Sequence, residues 1–379
     1  MITVKDFCKK EYGEALYKIS FDAGFTCPNR DGKVGTRGCI FCSEGGSGDF
    51  AVRLYGEDCD IEEQIALAKS KVSSKYKGDK YIAYFQAFTN TYADAGTLRN
   101  IYSPIITRDD IAVLSIATRP DCLSEEIYEL LKELNEIKPV WVELGLQTVS
   151  KKSIEYIRRG YDTKVYDEVV KRLNDIGIHT ITHVILYLPG ESTEDMLRTV
   201  SHCVKAGTKG IKLQLLHILK GTDLAIDYQN NPDSFSLPTL EQYCDTVKKC
   251  VDACPNDMVF HRLTGDAPKR LLIEPKWSAN KKAVINSLND VLKPSGPWYV
   301  YILKCGDGSF YTGSTDDVQK RFNNHCHGKG AKYTAAHLPL ELIYTEELPS
   351  KRLALKREYE IKQYSRTQKE ALIANGLEK

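Results

Sequence analysis

The chain alternates short apolar segments, rich in β-branched and aromatic residues, with longer segments whose apolar residues recur at helical spacing. The apolar segments predict strands at 16–21, 80–85, 111–117, 140–146, 178–186, 211–217 and 258–263. The amphipathic segments between them predict helices at 61–74, 124–137, 163–176, 193–206 and 240–253. Ser124 and Ser192, each followed by acidic residues, predict two of the helix starts.

Regular alternation of strand and helix is typical of a parallel sheet covered by helices. We therefore expect an α/β protein whose first domain spans residues 1–293. In such folds ligands bind at the carboxyl ends of the strands. The loop that follows the first of these predicted strands should therefore face the binding site.

The pattern changes at the breaker-rich segment 293–297 (KPSGP), which follows a predicted helix at 280–292. We predict a linker at 294–297 and a second domain at 298–379. Its first two strands, 298–305 and 309–312, are joined by Gly306, Asp307 and Gly308, which predict a hairpin turn. Further segments predict a helix at 318–325, a strand at 340–345 and a helix at 351–364, completing a small α/β domain.

Composition adds little to this picture. The 379 residues are 42% hydrophobic and 27% charged, which is ordinary for a globular protein with room for two cores. The net charge of +1 gives no indication for or against nucleic acid. No apolar run approaches the roughly 20 residues that span a bilayer, so we expect no membrane association. The 12 cysteines show no paired spacing and no signal segment precedes them, which predicts reduced thiols and a cytoplasmic location.

Three cysteines lie close together in the run TCPNRDGKVGTRGCIFC, at Cys27, Cys39 and Cys42. Three thiolates can hold three irons of a [4Fe–4S] cluster and leave the fourth iron open for a small molecule. Zinc sites also use Cys pairs, but a closed structural zinc site needs four ligands. Cys8 and Cys59 have no partner at the usual spacing. From spacing alone the cluster and zinc both remain open.

The cysteine loop followed by repeated strand–helix units resembles the radical S-adenosylmethionine (SAM) superfamily. The runs YKISFDAGFTCPNRDG, FQAFTNTYA, LSIATRPDCL, VWVELGLQTV and LPGES are similar to its YhcC/YtqA (MnmL-like) group, over about residues 5–290. The first cysteine spacing is C-x11-C instead of the commoner C-x3-C, and long first spacings are typical of this group.

The resemblance implies a partial (β/α) TIM-like barrel. In it Cys27, Cys39 and Cys42 ligate a [4Fe–4S] cluster, and SAM binds the open iron. Reduction by an electron donor such as flavodoxin or ferredoxin then cleaves SAM to a 5′-deoxyadenosyl radical.

The resemblance also implies roles for other residues. Gln147 ends a predicted strand and Arg159 follows twelve residues later, as for SAM contacts in related enzymes. A guanidinium suits the SAM carboxylate because it offers a planar fork of donors, although Arg158 and Arg159 could equally form a solvated helix end. Arg119 and Glu191 each follow a strand and are expected to line the cofactor site; for Glu191 the alternative is a plain turn.

The YtqA branch implies a tRNA substrate, in which a carboxymethylaminomethyl group on the wobble uridine becomes aminomethyl. Hydrogen abstraction from the glycine-like methylene would start that cleavage. Candidates for phosphate contacts are Arg119, Arg158, Arg262, Lys269 and Arg270. Three strand histidines, His183, His217 and His261, are candidates for substrate contacts, but a lone strand histidine is more often structural.

The second domain resembles the GIY-YIG nuclease domain in its small stand-alone bacterial form. The paired motif reads YVY at 299–301 and YTG at 311–313. The resemblance implies that Glu358 binds Mg²⁺, that Tyr301, Tyr311 and His325 position or deprotonate the attacking water, and that Arg321 holds the scissile phosphate. Tyr stands for the first Gly of the motif and Thr for its second Ile, and one carboxylate is a sparse metal site.

Three functions follow. The leading one is a radical SAM enzyme acting on tRNA, with a second domain that binds or cleaves nucleic acid. An alternative is a metal-dependent endonuclease whose first domain carries a structural or sensing cluster. In the third, the second domain is a non-catalytic RNA-binding appendage.

Overall fold

The computed structural model describes residues 1–46, 48, 50–56, 60–292 and 296–376. The chain divides into two compact units, Met1–Val284 and Ile285–Lys379. Lys293, Pro294 and Ser295 lie outside the described residues, as does Cys59. The predicted linker and domain limits therefore stay predictions.

The first unit is built on parallel strands. In chain order the strands are β1 (Ile2–Thr3), β2 (Tyr17–Asp22), β3 (Val52–Arg53), β4 (Tyr81–Phe85), β5 (Ile111–Thr118), β6 (Val140–Gln147), β7 (His179–Leu186), β8 (Gly210–Leu215), β9 (Ile218–Leu219), β10 (Val259–Arg262) and β11 (Leu272–Glu274). Within the described residues, nine of them form one parallel sheet in the order β1-β10-β8-β7-β6-β5-β4-β2-β3. Its edge strands do not meet, so the sheet is an open, partial barrel. This confirms the predicted fold class.

Helices alternate with these strands. They are α1 (Val4–Tyr12), α2 (Ile61–Ser70), α3 (Ala95–Ile106), α4 (Glu125–Ile137), α5 (Lys151–Tyr156), α6 (Thr163–Asp175), α7 (Thr193–Ala206), α8 (Asp223–Asn230), α9 (Leu240–Asp252) and α10 (Lys281–Leu292). Ser192 begins α7 with a reciprocal capping box to Asp195, as its sequence predicts. Ser124 precedes α4 without a side-chain cap. The seven predicted strands and six predicted helices are confirmed, although α2 ends four residues early.

The sequence pattern did not predict α1, α3, α5 or α8. Helix α3 contains Pro104, which normally argues against a helix interior. It forms because Leu98, Tyr102 and Ile105 pack against the sheet and bury almost completely. Tertiary packing thus outweighs the local signal.

The inner face of the barrel is layered from floor to mouth. At the amino ends of the strands, Ile82, Val113, Trp141 and Ile181 pack with Cys8 of α1 into an apolar floor. Because side chains alternate along a strand, the next inward positions lie two residues further on. These positions are polar and charged, and include Tyr84, Ser115, Glu143 and His183. The barrel interior is therefore a closed-bottomed cavity, open towards the carboxyl ends of the strands.

The second unit has a three-stranded antiparallel sheet in the order β13-β12-β14. Its elements are β12 (Trp298–Cys305), β13 (Phe310–Thr315), α11 (Val318–Cys326), α12 (Lys332–Ala336), β14 (Leu340–Leu348), α13 (Lys351–Gln363) and α14 (Arg366–Gly376). Helix α13 packs on the sheet through Ala354 and Ile361, against Val300 and Ile302. The predicted hairpin turn at 306–308 is confirmed, whereas α12 and α14 were not predicted.

Within the part of the chain that the structure describes, no helix combines the length and apolarity needed to cross a bilayer.

The side chain of Asn90 is the basis for a stability prediction. It is fully buried, and its Nδ2 donates to the carbonyls of Phe85, Ala87 and Ala117, tying the end of β4 to that of β5. Asn90→Ala removes this side-chain donor from all three carbonyls, and only that of Ala117 keeps the backbone N–H of residue 90, at 3.1 Å. The variant should therefore lower the free energy of unfolding by about 2 kcal/mol. Urea denaturation measures this. Asn100→Ala, at an exposed position of α3, is the control; equal midpoints for the two variants would contradict the prediction.

Candidate active site

Cys27, Cys39 and Cys42 lie in the loop that follows β2, at the carboxyl end of the barrel. Short turns shape this loop: Arg30 N donates to the Cys27 carbonyl at 2.8 Å, and Cys42 N donates to the Cys39 carbonyl at 2.9 Å. All three cysteines line the barrel cavity, which has a volume of about 640 Å³. The structure therefore brings Cys27, Cys39 and Cys42 to one opening.

Two neighbours that sequence reasoning missed hold this loop. Asn29 Nδ2 donates to the Arg158 carbonyl at 2.5 Å and lies 3.5 Å from Cys39 Sγ. Arg30 Nη2 donates to the Ser43 carbonyl at 2.6 Å. Asn29 and Arg30 could have been suspected because they lie within the cysteine run. The sequence does not indicate which backbone carbonyls their side chains bind.

The thiols form an electrostatically coupled group. Burial, together with the nearby Cys42 and Cys27, raises the pKa of Cys39 to about 11, although Asn29 and Arg119 oppose the shift. Thiolates at this site therefore need a cation to stabilise them. Among the described residues, no three His, Cys, Asp or Glu side chains converge on a point that could hold a single metal ion. A cluster does not require such convergence, because each thiolate binds a different iron. The donor set, three thiols around an open cavity, thus fits a [4Fe–4S] cluster.

Arg119 lies beside the cysteines and lines the cavity. Its guanidinium makes a bidentate ion pair with Asp121, at 2.9 and 2.7 Å. Burial opposes the charge of Arg119, but the Asp121 carboxylate outweighs it and raises the arginine pKa. Arg119 also lies over the ring of Tyr161, 5.1 Å from its centroid. It is a fixed positive charge next to the cysteine loop.

Arg159 is 1% exposed and lines the same cavity. Its Nε donates to the Tyr161 carbonyl, Nη1 to the carbonyls of Leu146 and Thr148, and Nη2 to Tyr161 and to Thr163 Oγ1. These contacts use all five N–H donors of a guanidinium. A contact with SAM would require Arg159 to exchange one of these partners, so in this arrangement it fixes the end of β6.

Gln147 ends β6 and lines the cavity. Its φ is +62°, a left-handed conformation that costs a residue other than glycine roughly 1–3 kcal/mol. Gly145 makes room for it, because a Cβ there would lie 2.6 Å from Gln147 Nε2. Phe88, just after β4, also has a positive φ and lines the cavity. The cavity mouth is therefore held in a strained, fixed shape.

Glu191 is not among the residues that line the cavity. It is 8% exposed and accepts a hydrogen bond from Thr148 Oγ1 at 2.6 Å. Burial raises the pKa of this carboxyl, although Thr148 and Ser153 oppose the shift. The structure thus places Glu191 behind the end of β6, apart from the other predicted cofactor residues.

The cavity wall is strongly cationic. Within the described residues it carries eight Lys and Arg side chains against Glu143 and Asp266. The basic residues are Lys18, Arg30, Lys75, Arg119, Arg159, Lys212, Arg262 and Lys281. Of the arginines and the lysine predicted to contact phosphate, Arg119 and Arg262 lie on the wall, whereas Arg158 pairs with Asp223 at 2.6 Å. Lys269 and Arg270 are not among the lining residues.

Glu143 is the centre of a buried network on this wall. Its side chain is 0% exposed and each oxygen accepts from two donors. Oε1 accepts from Lys18 at 2.5 Å and Ser115 at 2.7 Å, and Oε2 accepts from Lys212 and from His183 at 2.7 Å. Burial opposes ionisation of Glu143, but the two lysines and His183 outweigh it and hold its pKa well below the ordinary value.

His183 completes this network as a neutral ring. Burial, reinforced by Lys212, lowers its pKa to about 4 although Glu143 opposes the shift. Gln214 Nε2 lies 3.3 Å from Nδ1, so Nδ1 accepts and Nε2 donates to Glu143. His217 and His261 line the cavity too. The sequence carried a signal for this network: polar residues at every second position of otherwise apolar strands, as in VWVELGLQ and GIKLQL.

In the second unit, the structure brings Tyr301, Tyr311 and His325 together. Tyr301 Oη lies 2.9 Å from His325 Nε2, and the rings of Tyr311 and His325 are 5.2 Å apart. Thr334 donates to the Ala331 carbonyl, so its oxygen accepts from His325 Nδ1 at 2.6 Å. His325 Nε2 is then the acceptor of the tyrosine proton. Gly313 is required beside it, because a Cβ there would lie 2.4 Å from Tyr301 Oη.

Arg321 and Glu358 flank this group. Arg321 Nε donates to Tyr301 Oη at 3.3 Å. Glu358 accepts from Ser314 and from Lys362, each at 2.5 Å. Burial lowers the pKa of His325, and Arg321 adds to the shift, which favours the neutral ring.

Three protein-family models match the chain. The Radical SAM superfamily model matches residues 32–203, the Radical_SAM C-terminal domain matches 208–293, and the GIY-YIG catalytic domain matches 297–371. Among solved structures, the archaeal Methanocaldococcus infernus Elp3 superposes with a TM-score of 0.50 at 15% identity, covering 72% of this chain and 59% of that chain. This likeness bears on the fold alone.

Relatives match each part of the chain. The uncharacterized protein YtqA of Bacillus subtilis is 40% identical over 296 residues, 78% of this chain and 90% of that protein. Protein YhcC of Escherichia coli K12 is 33% identical over 288 residues, 76% of this chain and 90% of that protein. The UPF0213 protein SSP2268 of Staphylococcus saprophyticus is 53% identical over 78 residues, 21% of this chain and 95% of that protein. The chain therefore belongs to the radical SAM superfamily, in the family of YtqA and YhcC; it is an enzyme whose family implies a [4Fe–4S] cluster and SAM, and it carries a C-terminal GIY-YIG domain.

Proposed function

We propose that Cys27, Cys39 and Cys42 ligate a [4Fe–4S] cluster, and that the barrel cavity beneath it holds SAM and the substrate. The observation that carries this proposal is the placement of all three thiols on the wall of one cavity at the carboxyl end of the barrel. When bound, the reduced cluster supplies the electron that splits SAM into methionine and a 5′-deoxyadenosyl radical. The cavity's closed apolar floor limits the entry of water, which protects a radical from side reactions.

The chain's own residues bind and orient. Gln147 and Arg119 offer an amide and a guanidinium at the cavity mouth for the polar groups of SAM. Arg159 and Asn29 hold the end of β6 and the cysteine loop in place through backbone carbonyls. Glu191 acts from behind β6 through Thr148. We therefore assign direct contact to the first pair and positioning to the other three.

We further propose an MnmL-like role, in which the substrate is a tRNA whose wobble uridine carries a carboxymethylaminomethyl group. The excess of eight basic over two acidic side chains on the cavity wall supports an anionic substrate. The attached GIY-YIG domain supports contact with nucleic acid. A hydrogen atom of the methylene between the amine and the carboxylate would pass to the 5′ carbon of the deoxyadenosyl radical. The carbon radical left on the substrate would be stabilised by both neighbouring groups.

A second activity, phosphodiester cleavage by the GIY-YIG domain, is favoured by one observation. Tyr301, His325 and Thr334 form a chain of hydrogen bonds that draws the tyrosine proton towards His325 Nε2. Arg321 would bind the phosphate through its positive charge. Glu358 would ligate Mg²⁺, and the metal would replace Lys362 as the partner of its carboxylate. If the domain is a nuclease, these residues cleave a phosphodiester bond; if it is an RNA-binding appendage, they bind RNA without cleaving it.

Removal of one cysteine tests the cluster. After anaerobic reconstitution with iron and sulfide, wild type should hold about four irons per chain and, with SAM and a reductant, release 5′-deoxyadenosine. Cys39→Ala should lose both the iron and the 5′-deoxyadenosine, because the two remaining thiolates cannot hold a cluster that needs three protein ligands. Cys254→Ala, outside the cavity, is the matched control and should keep both. Equal 5′-deoxyadenosine from wild type and Cys39→Ala would refute the proposed ligation.

The substrate is tested in cells. Nucleoside mass spectrometry of tRNA from cells that lack this protein should show carboxymethylaminomethyluridine accumulating and aminomethyluridine depleted. Wild-type protein should restore the ratio and Cys39→Ala should not. An unchanged wobble-uridine profile would remove the tRNA assignment while leaving SAM cleavage intact.

The nuclease is tested with purified full-length protein, Mg²⁺ and supercoiled DNA or structured RNA. Arg321→Ala and Glu358→Gln should each lower cleavage at least 100-fold, since each removes a charge that acts on the phosphate or its metal. Lys304→Ala, at an exposed position of the same sheet, is the control. Wild-type protein that binds RNA but does not cut it would establish the appendage instead.

A further inference from the structure

The inner wall of the barrel holds two buried lysines against one carboxylate. Lys18 of β2 and Lys212 of β8 approach Glu143 from opposite sides of β6 in the sheet, and the lysine side chains are 22% and 4% exposed. His183 is neutral at pH 7 because burial lowers its pKa to about 4. With both lysines protonated, the group carries one more positive than negative charge. Burial lowers the pKa of Lys212 well below its ordinary value, so Lys212 is the member that would lose its proton without a further anion. Burying an uncompensated charge is costly, so such a group indicates a missing anion.

Glu143 cannot accept further hydrogen bonds from the two lysines. Its two oxygens already accept four hydrogen bonds, which fills the acceptor capacity of a carboxylate. Each ammonium has three N–H donors. The described contacts use one on Lys18, to Glu143, and two on Lys212, to Glu143 and to Tyr84 Oη. Donors therefore remain on both lysines at the cavity wall.

Two further cations, Arg262 and Lys281, add to the positive charge on this wall of the cavity. Burial lowers the pKa of Lys212, and Lys18 and Arg262 lower it further, although Glu143 opposes the shift. Arg262 lines the same wall and faces Asp266 at 3.6 Å, and Lys281 also contacts Asp266. An anion at this point would relieve the repulsion among these cations. The apolar floor of Trp141 and Ile181 lies directly below and limits its size.

We infer that Lys18 and Lys212 form a substrate subsite that binds a single small carboxylate next to the apolar floor of the cavity. Glu143 is the fixed counter-charge that holds the two ammonium groups in position. The spare N–H donors of two ammonium groups match the two oxygens of one carboxylate. This inference rests on the proposed function, because the carboxymethylamino substituent is the group that would bear the carboxylate. Lys18 and Lys212 then determine specificity and do not take part in SAM cleavage.

The test measures binding and SAM cleavage separately on reconstituted protein. Two anticodon stem-loops that carry carboxymethylaminomethyl- or aminomethyluridine are titrated in the presence of SAM. Wild type should bind the carboxylate form about tenfold to hundredfold more tightly, the range expected for charged hydrogen bonds. Lys18→Met and Lys212→Met should lose most of that preference by weakening the carboxylate form alone. Lys212→Arg should retain it, and Lys132→Met, at an exposed position of α4 outside the cavity, should match wild type.

A small probe keeps the subsite testable without RNA. N-ethylglycine should raise the Tm of the wild-type first unit in the full chain, whereas ethylamine should not, and Lys212→Met should abolish the difference. Substrate-free release of 5′-deoxyadenosine is measured on the same wild-type preparation. Its absence in wild type would overturn the proposed radical chemistry. Equal Tm shifts from both probes in wild type, or a preference that survives in both Met variants, would overturn the subsite.

Discussion

A carboxylate shut away from water has to be surrounded by donors, and much of the first unit depends on how Glu143 meets that requirement. Its donors come from four other strands: Lys18, Ser115, His183 and Lys212. Because side chains alternate with a period of two, a one-residue slip of any of these strands would turn its donor to the outer face. The network therefore selects the register of the sheet, and it makes the inner face polar while helices cover the apolar outer face.

A polar inner face has a functional consequence. The interior cannot pack into a dry core, so it stays open as a cavity between an apolar floor and the cysteine loop. The mouth is fixed by backbone contacts instead of by flexible side chains. Arg159 gives all its donors to acceptors around the end of β6. Gln147 at the end of β6 and Phe88 after β4 both hold left-handed backbone conformations. Rigid walls suit radical chemistry, where a substrate must be held and water kept out.

Prediction from the sequence succeeded where the signal was local and periodic. The predicted strands and helices are confirmed because each repeats its pattern over four residues or more. Helix α3 was missed since Pro104 weakens the local signal while burial of Tyr102 supplies the stability. In the site, the cysteines could be found from spacing. Arg119 and Arg159 could be nominated, but whether their donors face a ligand or carbonyls depends on residues far away in the chain.

The sequence by itself determined the element order, the three-cysteine loop after a strand, and the tyrosine, histidine and arginine motif of the second domain. Only the tertiary structure decided which polar residues come into contact on the cavity wall. Lys18 and Lys212 are 194 positions apart and meet at Glu143, whereas Glu191, nominated beside Arg119, lies behind β6. The physical reason is that a curled parallel sheet joins residues by strand order and inward alternation, and neither is visible in the spacing of residues along the chain.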